Sequence, residues 1–334
     1  MNLSIAPRGA ARVSMAFVGA FAALAASAAH AAQYHLVDLG KATAAGINDA
    51  GIVVGNKLDL ARPMRFKGDR WRAVQEPDAG AAALAINGKG DLGGYVRTDD
   101  QHVLPAIWAR GTAGYTTLAL PDGVTDGIAS AIGRDGQAAG YSPGGHCLTW
   151  DESGNVTDIG KPAGSTHGCQ VTGMNQRGEL SVFAPPRGYV WRNGRYHDIG
   201  TLGGSSAIAF AVNRHGQVAG TATDASAVGH AVVWESGTMI DLGTPDWRFS
   251  GLTAKAINDD GVAVGDGWTT DDGVTRAVLY EGGQAFELNT LVDDLADWNL
   301  ASATGISNDG TIVGYGTRGL HHRHAFMLVP IEAP

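Results

Sequence analysis

The chain has 334 residues, of which 49 are glycine; 44% of the residues are hydrophobic and only 17% are charged. That much apolar material supports a packed core and excludes a chain that is disordered throughout. A net charge of −9 excludes the basic surface that binding to nucleic acid or to anionic lipid requires.

The N-terminus has the three parts of a secretory signal peptide. Arg8 and Arg12 give a positive start, residues 13–26 are apolar or small, and Ala29-His30-Ala31 matches a cleavage site. The apolar stretch is shorter than the ~20 residues that a membrane-spanning helix needs, and no later candidate span follows. We therefore expect residues 1–31 to be removed and the protein to be secreted or periplasmic.

A short pattern recurs seven times along the rest of the chain: a small residue, an aliphatic residue, a polar residue, a turn and a glycine. The first copy reads Gly46-Ile47-Asn48-Asp49-Ala50-Gly51. The turn glycines lie 38 to 49 residues apart and are Gly51, Gly90, Gly136, Gly178, Gly216, Gly261 and Gly310. This period is typical of a four-stranded β-propeller blade.

Each copy predicts four strands. The turn joins the first two strands, because glycine adopts the positive φ that such a hairpin requires. A third strand follows a variable loop, and a fourth often closes with Asp-Leu-Gly or Asp-Ile-Gly. The third strands end in large residues that we interpret as core anchors between blades: Phe66, Trp108, Trp150, Trp191, Trp234, Tyr280 and Leu328.

The two ends of the repeat region complement each other. The seventh copy stops after its third strand, at residues 324–330, whereas residues 34–40 form an isolated fourth strand before the first copy. Pairing these strands would close a ring and remove both exposed sheet edges. We therefore predict an all-β fold: one seven-bladed β-propeller domain over residues 32–334, closed by the N-terminal strand. An open β-solenoid is the alternative, and it would leave both half-units unpaired.

The sequence resembles the HAF-repeat extracellular proteins, which are named for a His-Ala-Phe tripeptide. The resemblance rests on the Ala-Ile-Asn-x-x-Gly-x-Val-Val-Gly pattern, on Asp-Ile-Gly-Thr-Leu-Gly-Gly at residues 198–204 and on His324-Ala325-Phe326. It covers nearly all of residues 33–330 and departs where Gly133 replaces the asparagine and Val182 replaces a glycine. It implies an exported bacterial repeat protein and assigns no activity or catalytic residue.

Few residues predict chemistry by local spacing. No zinc-protease, phosphate-loop or serine-hydrolase motif is present, and we expect no cofactor. His322 and His324 share one face of a predicted strand and are candidate metal ligands, although two ligands do not complete a site. Cys147 and Cys169 are either a disulfide, which export would permit, or two buried thiols.

A second pattern emerges from equivalent positions of the blades. Six of the seven residues located four positions before the anchors are arginine or histidine: Arg62, His146, Arg187, His230, Arg276 and His324. One interpretation is a repeated hydrogen bond from the third strand to an acid such as Asp158 or Asp241. The other is a cationic ring at the channel mouth that holds an anionic glycan or a small anion.

These observations favour a non-enzymatic binding protein with an extracellular ligand or protein partner. Propellers commonly bind through variable loops or at the channel mouth. The loops that differ most between copies, our candidate specificity surface, are residues 96–104, 142–147, 161–168, 222–230 and 267–275. An enzyme acting on polysaccharide, with a site assembled from several blades, and a structural surface protein are the two alternatives.

Overall fold

The computed structural model describes residues 33–58, 62–112, 114–319 and 322–331, all within one compact unit, Ala32–Pro334. The predicted signal peptide, residues 1–31, lies outside these ranges. Within them, 28 β-strands form seven antiparallel four-stranded sheets, and the one helix is the short 3-10 turn Leu288–Thr290. No helix in the described ranges is long and apolar enough to cross a membrane.

Each sheet is one blade of a seven-bladed β-propeller, as the repeat predicts. Blade 1 contains β2 (Ala42–Ile47), β3 (Val53–Lys57), β4 (Pro63–Lys67) and β5 (Arg70–Ala73). Blade 2 contains β6 (Ala81–Ile86), β7 (Leu92–Arg97), β8 (Val103–Trp108) and β9 (Thr116–Thr117). Blade 3 contains β10 (Ile128–Ile132), β11 (Ala138–Tyr141), β12 (Cys147–Trp150) and β13 (Val156–Gly160). Blade 4 contains β14 (Gln170–Met174), β15 (Leu180–Ala184), β16 (Arg187–Arg192) and β17 (Arg195–Asp198). Blade 5 contains β18 (Gly203–Val212), β19 (Val218–Asp224), β20 (Gly229–Glu235) and β21 (Thr238–Asp241). Blade 6 contains β22 (Phe249–Ile257), β23 (Ala263–Thr269), β24 (Thr275–Glu281) and β25 (Gln284–Glu287).

Blade 7 joins the two ends of the chain. It contains β26 (Trp298–Ile306), β27 (Ile312–Arg318), β28 (His322–Pro330) and, as its fourth strand, β1 (Tyr34–Gly40). β1 pairs antiparallel with β28 from Tyr34 opposite Pro330 to Gly40 opposite Ala325. The ring is therefore closed by the N-terminal strand, and the solenoid alternative does not describe this fold.

The anchor residues pack into the apolar layers between blades. Six of the seven are buried, namely Phe66, Trp108, Trp150, Trp234, Tyr280 and Leu328, whereas Trp191 is half-buried. Two of them also donate to the preceding blade: the indole of Trp108 donates to the carbonyl of Gln75 at 2.7 Å, and that of Trp150 to the carbonyl of Ala119 at 2.6 Å. These two tryptophans therefore join apolar burial to a specific hydrogen bond between neighbouring blades.

A covalent link also joins two blades. Cys147 begins the third strand of blade 3, and Cys169 immediately precedes the first strand of blade 4. Their sulfur atoms are bonded, with the Cα atoms 5.6 Å apart, and both residues are buried. The disulfide therefore lies between blades rather than within one.

Candidate functional site

The seven turns between the first and second strands converge on one side of the ring, which we call the hairpin face. They surround an open cavity of about 550 Å³ on the propeller axis. Its floor is a ring of one aliphatic side chain per blade, each at the end of a first strand: Ile47, Ile86, Ile132, Met174, Val212, Ile257 and Ile306. We call this space the central cavity.

The asparagine of the repeat shapes the wall of the central cavity. Asn48 illustrates its local role: its Oδ1 accepts hydrogen bonds from the backbone N–H groups of Ala50 and Ile52, which hold the turn. Its Nδ2 donates to the backbone carbonyl of Asn87 in the next blade at 2.9 Å. The same inter-blade bond runs from Asn87 to Gly133, Asn175 to Asn213, Asn213 to Asn258 and Asn258 to Ser307.

Two blades lack this asparagine. Blade 3 has Gly133, which has no side chain, and blade 7 has Ser307, whose hydroxyl donates to Asp309 within its own turn at 2.6 Å. Because the buried asparagines are used in these structural bonds, they rigidify the cavity wall. The residues available to a ligand are therefore the neighbours of the asparagines.

Those neighbours form a polar rim of uneven charge. One residue from each blade contributes: Asp49, Lys89, Arg134, Gln176, Arg214, Asp259 and Asn308. The cations come from blades 2, 3 and 5, and the acids from blades 6 and 1. The rim is thus positive on one side and negative on the other.

The acidic side of the rim is tied together by hydrogen bonds. The Nδ2 of Asn308 donates to Oδ2 of Asp49 and to Oδ2 of Asp259, at 2.9 Å in both cases. The backbone N–H of Arg214 donates to Asp259 at 2.9 Å. Two carboxylates thus converge on one amide, and each already accepts hydrogen bonds from the protein.

Two of the three rim cations are partly neutralised, and for Arg214 the Nε lies 3.6 Å from Oδ2 of Asp259. Lys89 donates to Asp135 at 2.8 Å, and this contact raises the pKa of Lys89 and lowers that of Asp135. Arg134 is exposed beside this pair. Its guanidinium is therefore a candidate contact for an anionic group in the central cavity.

The six predicted ring residues lie elsewhere. They are located at or near the start of the third strands, on the opposite side of the ring, which we call the loop face: Arg62, His146, Arg187, His230, Arg276 and His324. None of them lines the central cavity. The third strand is the third of four counted outward from the axis, and so these side chains are separated from the channel by two strands.

Five of the six face a carboxylate, in most cases from the neighbouring fourth strand. Nδ1 of His146 lies 2.6 Å from Asp158, that of His230 lies 2.9 Å from Asp241, and that of His324 lies 2.9 Å from Asp38. Arg62 contacts Glu76 at 2.8 Å, and Arg276 pairs with Asp272 and Glu287. Arg187 makes no ion pair within the described ranges. Five of the six side chains thus contact a carboxylate of the protein, as the first interpretation expects.

The two metal candidates do not converge with a third ligand in the described residues. His322 is exposed on β28, while His324 is held by Asp38 and packs edge-on against Trp298, with ring centroids 5.9 Å apart. In the described part of the chain, no group of three or more His, Cys, Asp or Glu side chains is arranged to hold a metal ion.

The sequence did contain a signal for the central cavity that motif searching missed. The rim residues immediately follow the repeat asparagine or lie one position later, and they vary in charge from copy to copy. Their convergence depends on ring closure, which brings residues more than 250 positions apart, such as Asp49 and Asn308, into contact.

Comparison with known proteins bears on the fold alone. No protein-family model matches the chain, and no curated protein matches it. Among solved structures, a catalytically inactive virginiamycin B lyase from Staphylococcus aureus, solved with quinupristin, aligns with a TM-score of 0.61 and 11% identity, over 90% of this chain and 100% of the lyase.

Two further structures align similarly. A streptogramin B lyase has a TM-score of 0.58 and 12% identity, over 91% of this chain and 100% of the lyase. YCF48 bound to a D1 peptide has a TM-score of 0.52 and 11% identity, over 89% of this chain and 97% of YCF48. At such identities the similarity establishes a shared β-propeller fold and no shared activity.

Proposed function

We propose that this chain is an exported binding protein that takes a small amphipathic ligand in the central cavity. The observation that carries the proposal is the combination of an aliphatic floor and a charged rim around one open space of about 550 Å³. That volume lies within the range of small-molecule sites, and the rim supplies polar groups that could fix the orientation of a ligand.

The rim favours a ligand with separated charges or polar ends. An anionic group would face Arg134 and Lys89, while a donor or cationic group would face Asp49 and Asp259. The apolar body would then cover the floor formed by Ile86, Ile132 and their equivalents. Binding would cover the part of this floor that is exposed to water and would pair the charges of the rim, and both contribute to affinity.

The arrangement favours binding over the polysaccharide-enzyme alternative. Asp49 and Asp259 are the carboxylates that approach each other in the central cavity, and Asn308 donates to both. Both carboxylates are thus already engaged in contacts within the protein. The two lyases and YCF48 show that this fold serves both enzymes and peptide binders.

Export is supported by three observations. The N-terminus has the pattern of a signal peptide, the chain resembles the HAF-repeat proteins, and a buried disulfide joins blades 3 and 4. Disulfides persist in oxidising compartments. We therefore propose that the protein functions in the periplasm or the medium.

The test is to fill the central cavity. Gly88 lies on its wall, its φ is outside the left-handed region, and a Cβ built there meets no atom within 4 Å. Gly88→Trp should therefore fold normally and obstruct the cavity. The matched control is Thr157→Trp, which adds the same bulk on the exposed outer strand of blade 3.

The probe is 8-anilinonaphthalene-1-sulfonate, which combines an aromatic body with one anionic group. We expect its fluorescence titration to show one saturable site in the wild type and in Thr157→Trp, and at least about tenfold weaker binding in Gly88→Trp. Equal binding by all three proteins would refute the central cavity as the site.

A further inference from the structure

The outer hairpin of blade 1 carries an unusual concentration of positive charge. β4 and β5 place Arg65 opposite Arg72 and Lys67 opposite Arg70. Because side chains alternate along a strand, all four lie on one face of the hairpin, and Phe66 and Trp71 occupy the other. Like charges directly opposite each other destabilise a strand pair, so the pairing needs a compensating reason.

Blade 1 differs here from the other blades. The residue before the anchor is aliphatic, or once threonine, in the other six: Ile107, Thr149, Val190, Val233, Leu279 and Met327. In blade 1 the equivalent residue is Arg65. An arginine therefore occupies a position that other blades fill with a packed side chain, and its equivalents Val190, Val233 and Leu279 are buried.

Arg65 is only partly satisfied by the protein. Its Nη2 donates to the backbone carbonyl of Trp108 in blade 2 at 2.7 Å, but its Nε is buried and has no hydrogen-bond partner among the described residues. Burial and the nearby charge of Arg110 lower the pKa of Arg65, and the charge of Asp91 opposes this.

These side chains border a second cavity of about 550 Å³ at the outer edge of blades 1 and 2. Its lining is Ile52, Arg65, Lys67, Arg72, Ala73, Val74 and Arg110. Four of these seven residues are cationic, and none of the lining residues in the described ranges is acidic. We call this space the cationic cavity.

The nearest carboxylates are already engaged or lie outside the cationic cavity. Asp91, which acts on Arg65, accepts hydrogen bonds from the backbone of Arg110 at 2.7 Å and from the side chain of Asn87 at 2.9 Å. Asp69 lies in the turn between β4 and β5. The positive charge of the cationic cavity is therefore left largely uncompensated by the protein.

A smaller cavity of about 230 Å³ continues from it along blade 2. It shares Arg65, Ala73 and Val74 and adds neutral polar groups, among them Gln75 and Thr112. A ligand that fills both spaces would carry anionic groups at one end and hydrogen-bonding neutral groups at the other.

We propose that the cationic cavity binds a ligand bearing at least two oxyanion groups, carboxylate, sulfate or phosphate, on a polar body. Guanidinium groups match the planar geometry of oxyanions and are more weakly hydrated than ammonium groups, so they suit a partly buried site. The acidic remainder of the chain repels anions, so binding requires this local cluster. This site is separate from the central cavity.

The test is calorimetric titration at low ionic strength with two anionic probes, inorganic pyrophosphate and trigalacturonic acid, and with neutral maltotriose as a blank. The first variant is Arg65→Leu with Arg72→Thr, which installs residue types that other blades carry at these positions. The matched control is Arg192→Thr with Arg195→Thr, which removes two opposed arginines from the corresponding hairpin of blade 4.

We expect at least one anionic probe to bind, with about tenfold or greater weakening in the blade 1 variant and less than about twofold in the blade 4 control. If the double variant proves unstable, Arg110→Gln replaces it in the test, because Arg110 is exposed. This single change should also weaken the binding of the anionic probe. The tighter of the two probes identifies a phosphate-type or a uronate-type ligand.

Two outcomes would overturn the proposal: no binding of either anion by the wild type at millimolar concentration, or equal weakening in the blade 1 and blade 4 variants. Gly88→Trp separates this site from the proposed function. It should leave pyrophosphate and trigalacturonate binding unchanged while it weakens the binding of 8-anilinonaphthalene-1-sulfonate in the central cavity at least about tenfold.

Discussion

At the scale of single residues, the repeat asparagine explains both the turn and the join between blades. Asn213 is buried, its Oδ1 accepts hydrogen bonds from the backbones of His215 and Gln217, and its Nδ2 donates to the carbonyl of Asn258 in the next blade. The sequence predicted the turn, because asparagine bonds its own backbone there. The inter-blade bond depends on the position of a backbone carbonyl in the neighbouring blade, which the sequence alone does not give.

Replacing Asn213 with alanine should lower the free energy of unfolding by about 2 to 4 kcal/mol, because it removes a buried hydrogen bond to the carbonyl of Asn258 and two part-buried bonds that hold the turn. Urea unfolding measures this change. Asn155→Ala is the control, since Asn155 is an exposed turn residue whose side chain contacts Asp151. It should cost less than about 0.5 kcal/mol. Equal costs for the two variants would contradict a structural role for the inter-blade bond.

The arginines and histidines of the third strands show what repeat position can and cannot predict. The spacing of the repeat predicts which positions of the third strands are equivalent. The carboxylates that these residues contact, however, lie at irregular separations along the sequence. His146 meets Asp158 twelve residues later, whereas His324 meets Asp38 from the other end of the chain. The sequence left open a repeated hydrogen bond or a ligand site, and in most of these positions the neighbouring fourth strand supplies a counter-charge.

At the scale of strands, closure of blade 7 depends on β1, and Asp38 fixes β1 in place. It accepts hydrogen bonds from the backbone of Gly40 and from His324, and it pairs with Arg318. Burial raises the pKa of Asp38, but the bonds from Gly40, His324 and Arg318 together lower it below its ordinary value of 3.8.

A lowered pKa in the folded state means that ionised Asp38 stabilises the fold above the pKa of the unfolded chain. This stabilisation disappears as the pH falls through the lower folded value. Asp38→Asn should therefore cost about 1 kcal/mol near pH 6 and progressively less as the pH falls below 3.8. Urea unfolding across this range tests it, with the exposed Asp122→Asn as the control. A cost that does not vary with pH would contradict the role assigned to the charge.

The disulfide acts at the same scale, because it joins neighbouring blades across 22 residues of chain. Closing a loop of that length restricts the unfolded chain and should contribute about 3 kcal/mol. Replacing both Cys147 and Cys169 with alanine should lower the melting temperature by several degrees, and a reductant should lower that of the wild type but not of the variant. A wild-type melting temperature unaffected by reductant would contradict this.

The basic residues of the blade 1 hairpin are visible in the sequence, but the site that they form is not. Arg65, Lys67, Arg70 and Arg72 flank the anchor Phe66 and the aromatic Trp71 in alternation. Alternation along one strand does not reveal the strand's neighbour, and the cationic cavity also requires Arg110 from blade 2. Such a site follows from the packing of blades, which the repeat pattern leaves unspecified.

At the scale of the whole molecule, the repeat predicted the fold in full: the number of blades, four strands in each and closure by the N-terminal strand. It did not predict which face binds. Sequence variation drew attention to the loops of the loop face, where Trp247 and Trp268 are 81% and 49% exposed. The central cavity lies instead on the hairpin face, where similar turns converge and differ in charge.

The central claim is that the hairpin face is the binding face, and hydrogen–deuterium exchange with saturating 8-anilinonaphthalene-1-sulfonate tests it most directly. We predict slower exchange in the turns around Asn48, Asn87 and Asn213 and in their equivalents, with no change in residues 222–230 and 267–275. Slower exchange in those two loops, with the seven turns unaffected, would contradict the account and place the binding site on the loop face.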